Sequence, residues 1–282
     1  MSIIADHLSY TYNAGTVYES KALSDASFKI EDGEYVALLG HTGSGKSTLI
    51  QLIAGLFKPS SGTVYVNGED IFDEDYNTHR LRGQIGIVFQ YPEHQLFEAD
   101  VFTDVCFGPK NLGLERSEVE LRAYEALKMV GLKDEAFYQS PFELSGGEKR
   151  RVALAGVLAM KPKILILDEP VAGLDPAGRK WMFSLIAKLR KEQGITVLLV
   201  SHSMDDVAEN ADRLIVMKAG TVFMDGNARE VFLYYNELAK IGLDIPDVCK
   251  VMHMLKENGL KVDTDVIRLK QAADEIIRAA GI

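Results

Sequence analysis

Gly40-His41-Thr42-Gly43-Ser44-Gly45-Lys46-Ser47-Thr48 has the spacing G-x-x-x-x-G-K-[ST]. It follows an apolar run, Tyr35 to Leu39, and opens a helical pattern from Ser47 to Leu56. Glycines without Cβ let successive backbone N–H groups curl round phosphate oxygens, and the helix N-terminus adds its positive dipole end. In that arrangement Lys46 reaches the β- and γ-phosphates of a nucleotide, and the Ser47 hydroxyl is a ligand for Mg²⁺. An ordinary Gly-rich strand-to-helix turn would need neither the lysine nor the hydroxyl.

Two further stretches carry chemistry. Lys163 to Glu169 is an apolar strand that ends in two carboxylates. Acids emitted at the C-terminal end of a buried strand stand in the crevice where α/β sheets bind ligands. Asp168 is placed to hold Mg²⁺ through its water shell and Glu169 to polarise an attacking water. Leu144-Ser145-Gly146-Gly147-Glu148 has capping-box spacing before a helical pattern that runs to Met160. A helix start alone does not require paired glycines. They leave the first N–H groups bare, which makes a second anion site in a chain whose phosphate loop already holds one.

The elements that must position these residues alternate. Apolar runs recur at Phe28 to Ile30, Tyr35 to Leu39, Gln84 to Phe89, Ile164 to Leu167, Ile195 to Val200 and Leu214 to Met217. Several lack alternation, as strands covered on both faces should. With the helical patterns at Ser47 to Leu56 and Lys180 to Gln193 between them, they predict an α/β fold around a mostly parallel sheet. Gly62 to Gly68, with Asn67-Gly68 as its turn, predicts an added antiparallel piece near the N-terminus. From about 91 to 160 strand runs stop and helical periodicity takes over, which predicts an inserted helical subdomain. The chain is divided accordingly into 1–226 and a small helical module, 227–282, with Pro246 in the first turn of one of its helices.

Composition narrows the classes. At 282 residues the chain can bury a large core without disulfide or structural metal. Cys106 and Cys249 stand alone, which disfavours a zinc site or a secreted disulfide framework and fits a reducing cytoplasm. The net charge of −10 argues against coating nucleic acid. No leader pattern opens the chain, and no run approaches the roughly 20 apolar residues of a membrane span. A membrane role would come through a partner.

Taken together and in order, the phosphate loop, Leu144 to Glu148 and the Asp168-Glu169 strand resemble the Walker A, signature and Walker B elements of ABC ATPases, a subgroup of the P-loop NTPase fold. The resemblance covers about Ile3 to Asp225. It implies ATP and Mg²⁺ as ligands, Gln90 as a Q-loop residue touching the metal, Ala172-Gly173-Leu174-Asp175 as a D-loop, and His202 as a switch histidine. It places an adenine-stacking aromatic at Tyr12, with Tyr10 as the neighbour that could serve instead. Val171, where the family commonly has a small hydroxyl residue, departs from the pattern and is expected to pack similarly.

By the same resemblance Gly40, Gly43, Gly45, Lys46, Ser47 and Thr48 bind nucleotide in their own subunit. Ser145, Gly147 and Asp175 bind it from the opposite one. Catalysis falls to Glu169, His202, Lys46 and Gln90, and the metal to Ser47, Gln90 and Asp168.

A narrower likeness runs from Gln90-Tyr91-Pro92-Glu93-His94-Gln95-Leu96-Phe97 to Val105-Cys106-Phe107-Gly108-Pro109, with Glu237-Leu238, Gly242-Leu243, Pro246 and Gly259 in the tail. It resembles the second of the two ATPase types of energy-coupling-factor (ECF) transporters. That implies an extra short helix after Gln90, a peripheral position on the cytoplasmic face of the membrane and uptake of a vitamin or metal ion. The partners implied are a second ATPase subunit, either a paralogue or an identical chain, a membrane scaffold, and through it a substrate-binding membrane protein. An ATPase of another ABC importer class and two further classes remain open. A soluble ABC engine on nucleic acid or ribosomes would need tandem cassettes or long coiled-coil arms, and a small-molecule phosphotransferase would leave Leu144 to Glu148 without a use.

Overall fold

The computed structural model describes residues 2–281. In chain order the first elements are β1 (Ile3–Tyr12), β2 (Ser20–Ile30), β3 (Tyr35–Leu39), α1 (Lys46–Ile53), β4 (Ser61–Val66), β5 (Glu69–Asp70), α2 (Thr78–Gln84) and β6 (Ile85–Val88). A helical stretch follows with α3 (Val101–Asn111), α4 (Arg116–Met129) and α5 (Gly146–Ala159). Strand and helix then alternate through β7 (Ile164–Asp168), α6 (Pro176–Gln193), β8 (Thr196–Val200), α7 (Met204–Asn210), β9 (Arg213–Lys218) and β10 (Thr221–Asn227). The chain ends in α8 (Ala228–Leu233), α9 (Tyr235–Lys240), α10 (Asp247–Glu257) and α11 (Leu269–Ala280).

Two sheets form. The larger has strand order β10-β9-β3-β8-β7-β6, and only β10 pairs antiparallel. The smaller is antiparallel, β2-β1-β4-β5. Its β4–β5 hairpin turns at Asn67 and Gly68, both at positive φ (53° and 82°), as a type I′ turn requires.

Every residue of β3 and β8 is buried, because side chains that alternate across these strands meet protein on both sides. Tyr35, Ala37, Leu39, Leu165, Leu167, Val197 and Leu199 join a cluster with α3 to α8. Val36, Leu38, Ile164, Ile166, Leu198 and Ile215 face the other way, onto α1 and the antiparallel sheet. At roughly 25 cal/mol per Å² of apolar surface removed from water, these two faces are the main source of stability. Met252, Val262 and Ala272 form a small separate cluster under α10 and α11.

Three sequence expectations shift in detail. The strand expected at Phe28 to Ile30 is the end of an 11-residue strand. Helix α6 begins at Pro176 rather than Lys180, with the Asp175 side chain accepting from Gly178 N at 2.7 Å. Pro246 precedes α10 as its cap instead of sitting in its first turn, because its extended φ/ψ (−53°, 143°) keeps it outside the helix. Val171 is buried, as expected for a residue that packs.

Candidate active site

The phosphate loop links the end of β3 to α1. Gly45, at φ 104°, is the residue before the helix, and it offers no side chain to the first N–H groups. A Cβ there would meet Ala22 O and Leu23 Cδ2, each at 2.7 Å, so only glycine fits. The unclaimed N–H groups of α1 therefore face the cleft. Gly40 is similarly constrained: φ is 152° and a Cβ would lie 2.6 Å from Met217 O. The loop is also tied from outside, since Gly220 N donates to Ser44 O (3.0 Å) while Gly220 O accepts from Ser24 N (2.8 Å).

Beside this loop lies a cleft of about 550 Å³ lined by Tyr12, Lys46, Ser47, Thr48, Gln90 and the Asp168, Glu169 and His202 group. Thr42, Gly43 and Gly45 also line it, as do Ser20, Lys21 and Ala22 of β2. Lys46 is almost wholly buried, and its Nζ donates to Gly40 O (2.6 Å) and His41 O (3.1 Å). Burial lowers its pKa, while the charges of Glu169 and Asp168 pull it back up.

Asp168 and Glu169 leave the C-terminal end of β7, and His202 follows β8 by two residues. Burial raises the pKa of Asp168 against the opposing charges of Lys46 and His202. Glu169 is pushed up to about 7, by burial first and the neighbouring Asp168 second. Its Oε1 is buried with no hydrogen-bond partner among the described residues, and lies 3.5 Å from His202 Nε2. Glu169 also holds φ at 51°, a left-handed angle that costs a non-glycine residue about 1–2 kcal/mol. Burial and then the charge of Lys46 lower the pKa of His202 against the opposing charge of Asp168, which favours the neutral imidazole. A general base with a pKa near 7 and a neutral imidazole beside it suit water activation.

Of the two candidate aromatics, Tyr12 lines the cleft and its hydroxyl lies 3.0 Å from Thr48 Oγ1. Tyr10 instead stacks on Phe57, with ring centroids 5.5 Å apart, and packs on the smaller sheet's core.

Ser145, Gly147 and Asp175 do not line the cleft. Ser145 caps α5 in a complete capping box with Glu148: Ser145 N donates to Glu148 Oε2 (3.0 Å) and Glu148 N to Ser145 Oγ (3.4 Å). A Cβ placed on Gly146 or Gly147 would meet nothing within 4 Å, so no contact inside the chain asks for glycine.

Sequence reasoning missed Lys21, which register places opposite Thr11 and so at the mouth of the cleft. It also missed the pairing of buried Arg150 with Glu93 (3.1 and 3.2 Å), for which a sequence separation of 57 leaves no local signal.

Known proteins sharpen this picture. A family described as ABC transporter matches residues 23–172. The energy-coupling factor transporter ATP-binding protein EcfA2 of Clostridioides difficile is 51% identical over 280 residues, covering 99% of this chain and 97% of that protein. Its counterpart in Caldanaerobacter subterraneus subsp. tengcongensis is 49% identical over 278 residues, with the same coverage. Among solved structures, cbiO1 of Clostridium perfringens, described as part of the ABC transporter complex cbiONQ, is 40% identical with a TM-score of 0.73 over 90% of this chain and 98% of that one. The dimeric ATP-binding cassette MJ0796, bound to ADP and Pi, is 32% identical with a TM-score of 0.71 over 80% of this chain and 98% of its own. With a family match over more than half of its length and relatives about half identical over nearly all of it, the chain belongs to the ABC transporter ATPases, in the branch of energy-coupling factor transporter ATP-binding proteins.

Proposed function

We propose that the chain is an ATP-hydrolysing subunit of an ECF-type importer that closes over a second ATPase subunit around shared nucleotide. One observation carries this reading. Two anion-ready helix starts exist in one chain, yet only that of α1 opens on the cleft, while Gly146 and Gly147 present bare backbone outward. A face stripped of side chains without internal cause suits the phosphates held by another subunit. The related cassette MJ0796, described as dimeric and bound to ADP and Pi, supports a reading in which two such subunits pair.

In this reading Gly40, Gly43, Gly45, Lys46 and Thr48 form the cradle and Tyr12 stacks on the adenine. The donor set of Ser47, Gln90 and Asp168 is all oxygen, and the cleft they share with the orphaned Glu169 Oε1 fits a hydrated Mg²⁺. When bound, the metal would neutralise charge on the β- and γ-phosphates. Glu169 accepts a proton from the attacking water, and His202 holds that water in line with the γ-phosphate. Lys46 leaves the Gly40 and His41 carbonyls for phosphate oxygens. Ser145, Gly147 and Asp175 complete the site from the opposite subunit.

A second groove of about 360 Å³ lies between α2, α3 and α5, lined by Leu96, Phe97, Phe107 and Met160. Phe97 and Phe107 pack edge to face at 4.9 Å and stay partly exposed. It begins a few residues past Gln90 and suits the cytoplasmic segment of a membrane scaffold, moved when the γ-phosphate is lost. No helix of the described residues is long and apolar enough to cross a membrane, so attachment through such a partner at the cytoplasmic face fits the chain. We divide the chain as an ATPase unit, 1–226, and a C-terminal module, 227–282, though α8 and α9 contribute Val231, Phe232 and Leu238 to the main core.

The test is a Glu169→Gln variant, copurified with its second ATPase subunit and given ATP. It should bind nucleotide, turn over at least about a hundredfold more slowly, and persist as a closed dimer by mass in solution. Normal hydrolysis by this variant would remove Glu169 from its role.

A further inference from the structure

Arg150 is buried, and its guanidinium fork reaches two separate segments. Nε and Nη2 donate to the two carboxylate oxygens of Glu93 at 3.1 and 3.2 Å, and Nη1 donates to Ala172 O at 2.6 Å. Each end has a direct link to chemistry. Glu93 sits in a one-turn 3-10 helix, Pro92–Gln95, three residues from cleft-lining Gln90, and Tyr91 between them is in the left-handed region at φ 57°. Ala172 closes a turn on the catalytic carboxylate's residue, Ala172 N donating to Glu169 O at 3.1 Å, and leads to Asp175. Arg150 itself lies in the second turn of α5, whose start is Ser145.

One side chain therefore joins the segment that feels the γ-phosphate of its own subunit to both segments turned toward the other subunit's nucleotide. Burial pushes the Glu93 carboxyl up, but the hydrogen bonds from Arg150 and from its own backbone N–H outweigh this and hold it below the usual range. The pair is thus ionised and bidentate, the form with the most geometric specificity. A buried ion pair is seldom more stabilising than apolar residues of the same volume, so its positional precision is the property that distinguishes it.

We propose that Arg150 is a positioning residue that couples a subunit's own nucleotide cleft to the two segments it offers its partner, so that the two ATP sites close and fire together. This rests on the shared-nucleotide reading of the function. A displacement at Gln90 on nucleotide binding passes through Glu93 and Arg150 to the start of α5 and to Ala172. The route is short and stiff: three hydrogen bonds on one buried planar group.

Lysine keeps the charge but lacks the fork, so it cannot hold Glu93 and Ala172 O together. The test places Arg150→Lys in the Glu169→Gln background, in complex with the second ATPase subunit and scaffold. ATP-driven closure is read by energy transfer between dyes on the two ATPase subunits, and nucleotide affinity separately with a fluorescent ATP analogue without divalent cation. The ATP concentration for half-closure should rise about tenfold while affinity for the analogue changes less than about twofold. In an otherwise native complex, Arg150→Lys should also bring the Hill coefficient of ATP hydrolysis toward one. If the lysine variant does not fold, Glu93→Gln is read the same way and should shift closure in the same direction. Closure and cooperativity matching the parent would overturn the coupling role, as would equal losses in affinity and closure. If the Glu169→Gln complex itself does not close with ATP, the shared-nucleotide reading falls, and this inference with it.

Discussion

His202 Nε2 stands 3.5 Å from Glu169 Oε1, and the two residues reach that point from the ends of adjacent parallel strands, β8 and β7. The separation is longer than a hydrogen bond, which leaves the buried oxygen unsatisfied and leaves room for a third atom to be held by both. His202→Ala should therefore lower kcat about a hundredfold with ATP affinity within about twofold, measured by steady-state hydrolysis and equilibrium binding. A parallel loss in affinity would mean that His202 serves binding instead.

Burial and the neighbouring Asp168 push the Glu169 carboxyl up to about 7 in the folded chain, against roughly 4.3 for an unfolded glutamate. Between those values the folded state holds the extra proton, so this group favours folding at low pH and the benefit is lost as pH rises through 7. Glu169→Gln removes the titration. The melting temperature of the variant minus that of the parent should grow from pH 5 to pH 8 by a few degrees, read by scanning fluorimetry. A difference that is flat with pH would show the carboxylate to be well solvated.

Gly147 has free space where a Cβ would go and a helical backbone angle. Gly147→Ala should leave the isolated chain as stable as before, or more stable by up to about 1 kcal/mol. ATP hydrolysis by the complex should nonetheless drop about tenfold or more, since the methyl group would stand between backbone and phosphate. Unchanged hydrolysis would mean that nothing approaches α5 closely.

Tyr12 and Tyr10 are adjacent on one strand face and separable by experiment. Tyr12→Ala should weaken ATP binding about tenfold, because stacking on a base contributes roughly 1–3 kcal/mol. Tyr10→Ala should lower stability, since it loses its stack on Phe57, and leave affinity nearly intact. Calorimetric titration and thermal melts of the two variants distinguish the roles.

Much of this was legible in the sequence for a definite reason. Gly40 to Thr48, Leu144 to Glu148 and Lys163 to Glu169 are local motifs in which backbone chemistry and side chains are contiguous. The parallel sheet was legible because fully buried strands read as unbroken apolar runs, as β3, β7 and β8 do. The antiparallel β1 was missed because its ten residues mix His7, Asp6 and exposed positions, with bulges that break the alternation. The choice between Tyr10 and Tyr12 depended on Phe57, a contact across elements. Arg150 and Glu93 were invisible for the same reason: an ion pair between distant turns has no period.

The position of Gly220 carries a last consequence. Its N–H donates to Ser44 O and its C=O accepts from Ser24 N, so a single residue is the rivet between the antiparallel layer and the cradle. The N-terminal layer cannot peel away without letting the phosphate loop slacken, so fraying of that layer and loss of grip on ATP belong to one cooperative opening. Hydrogen exchange at the Gly220 amide should slow on nucleotide addition together with that of β1 and β2, so that occupancy of the cleft is registered along the whole antiparallel layer that borders it.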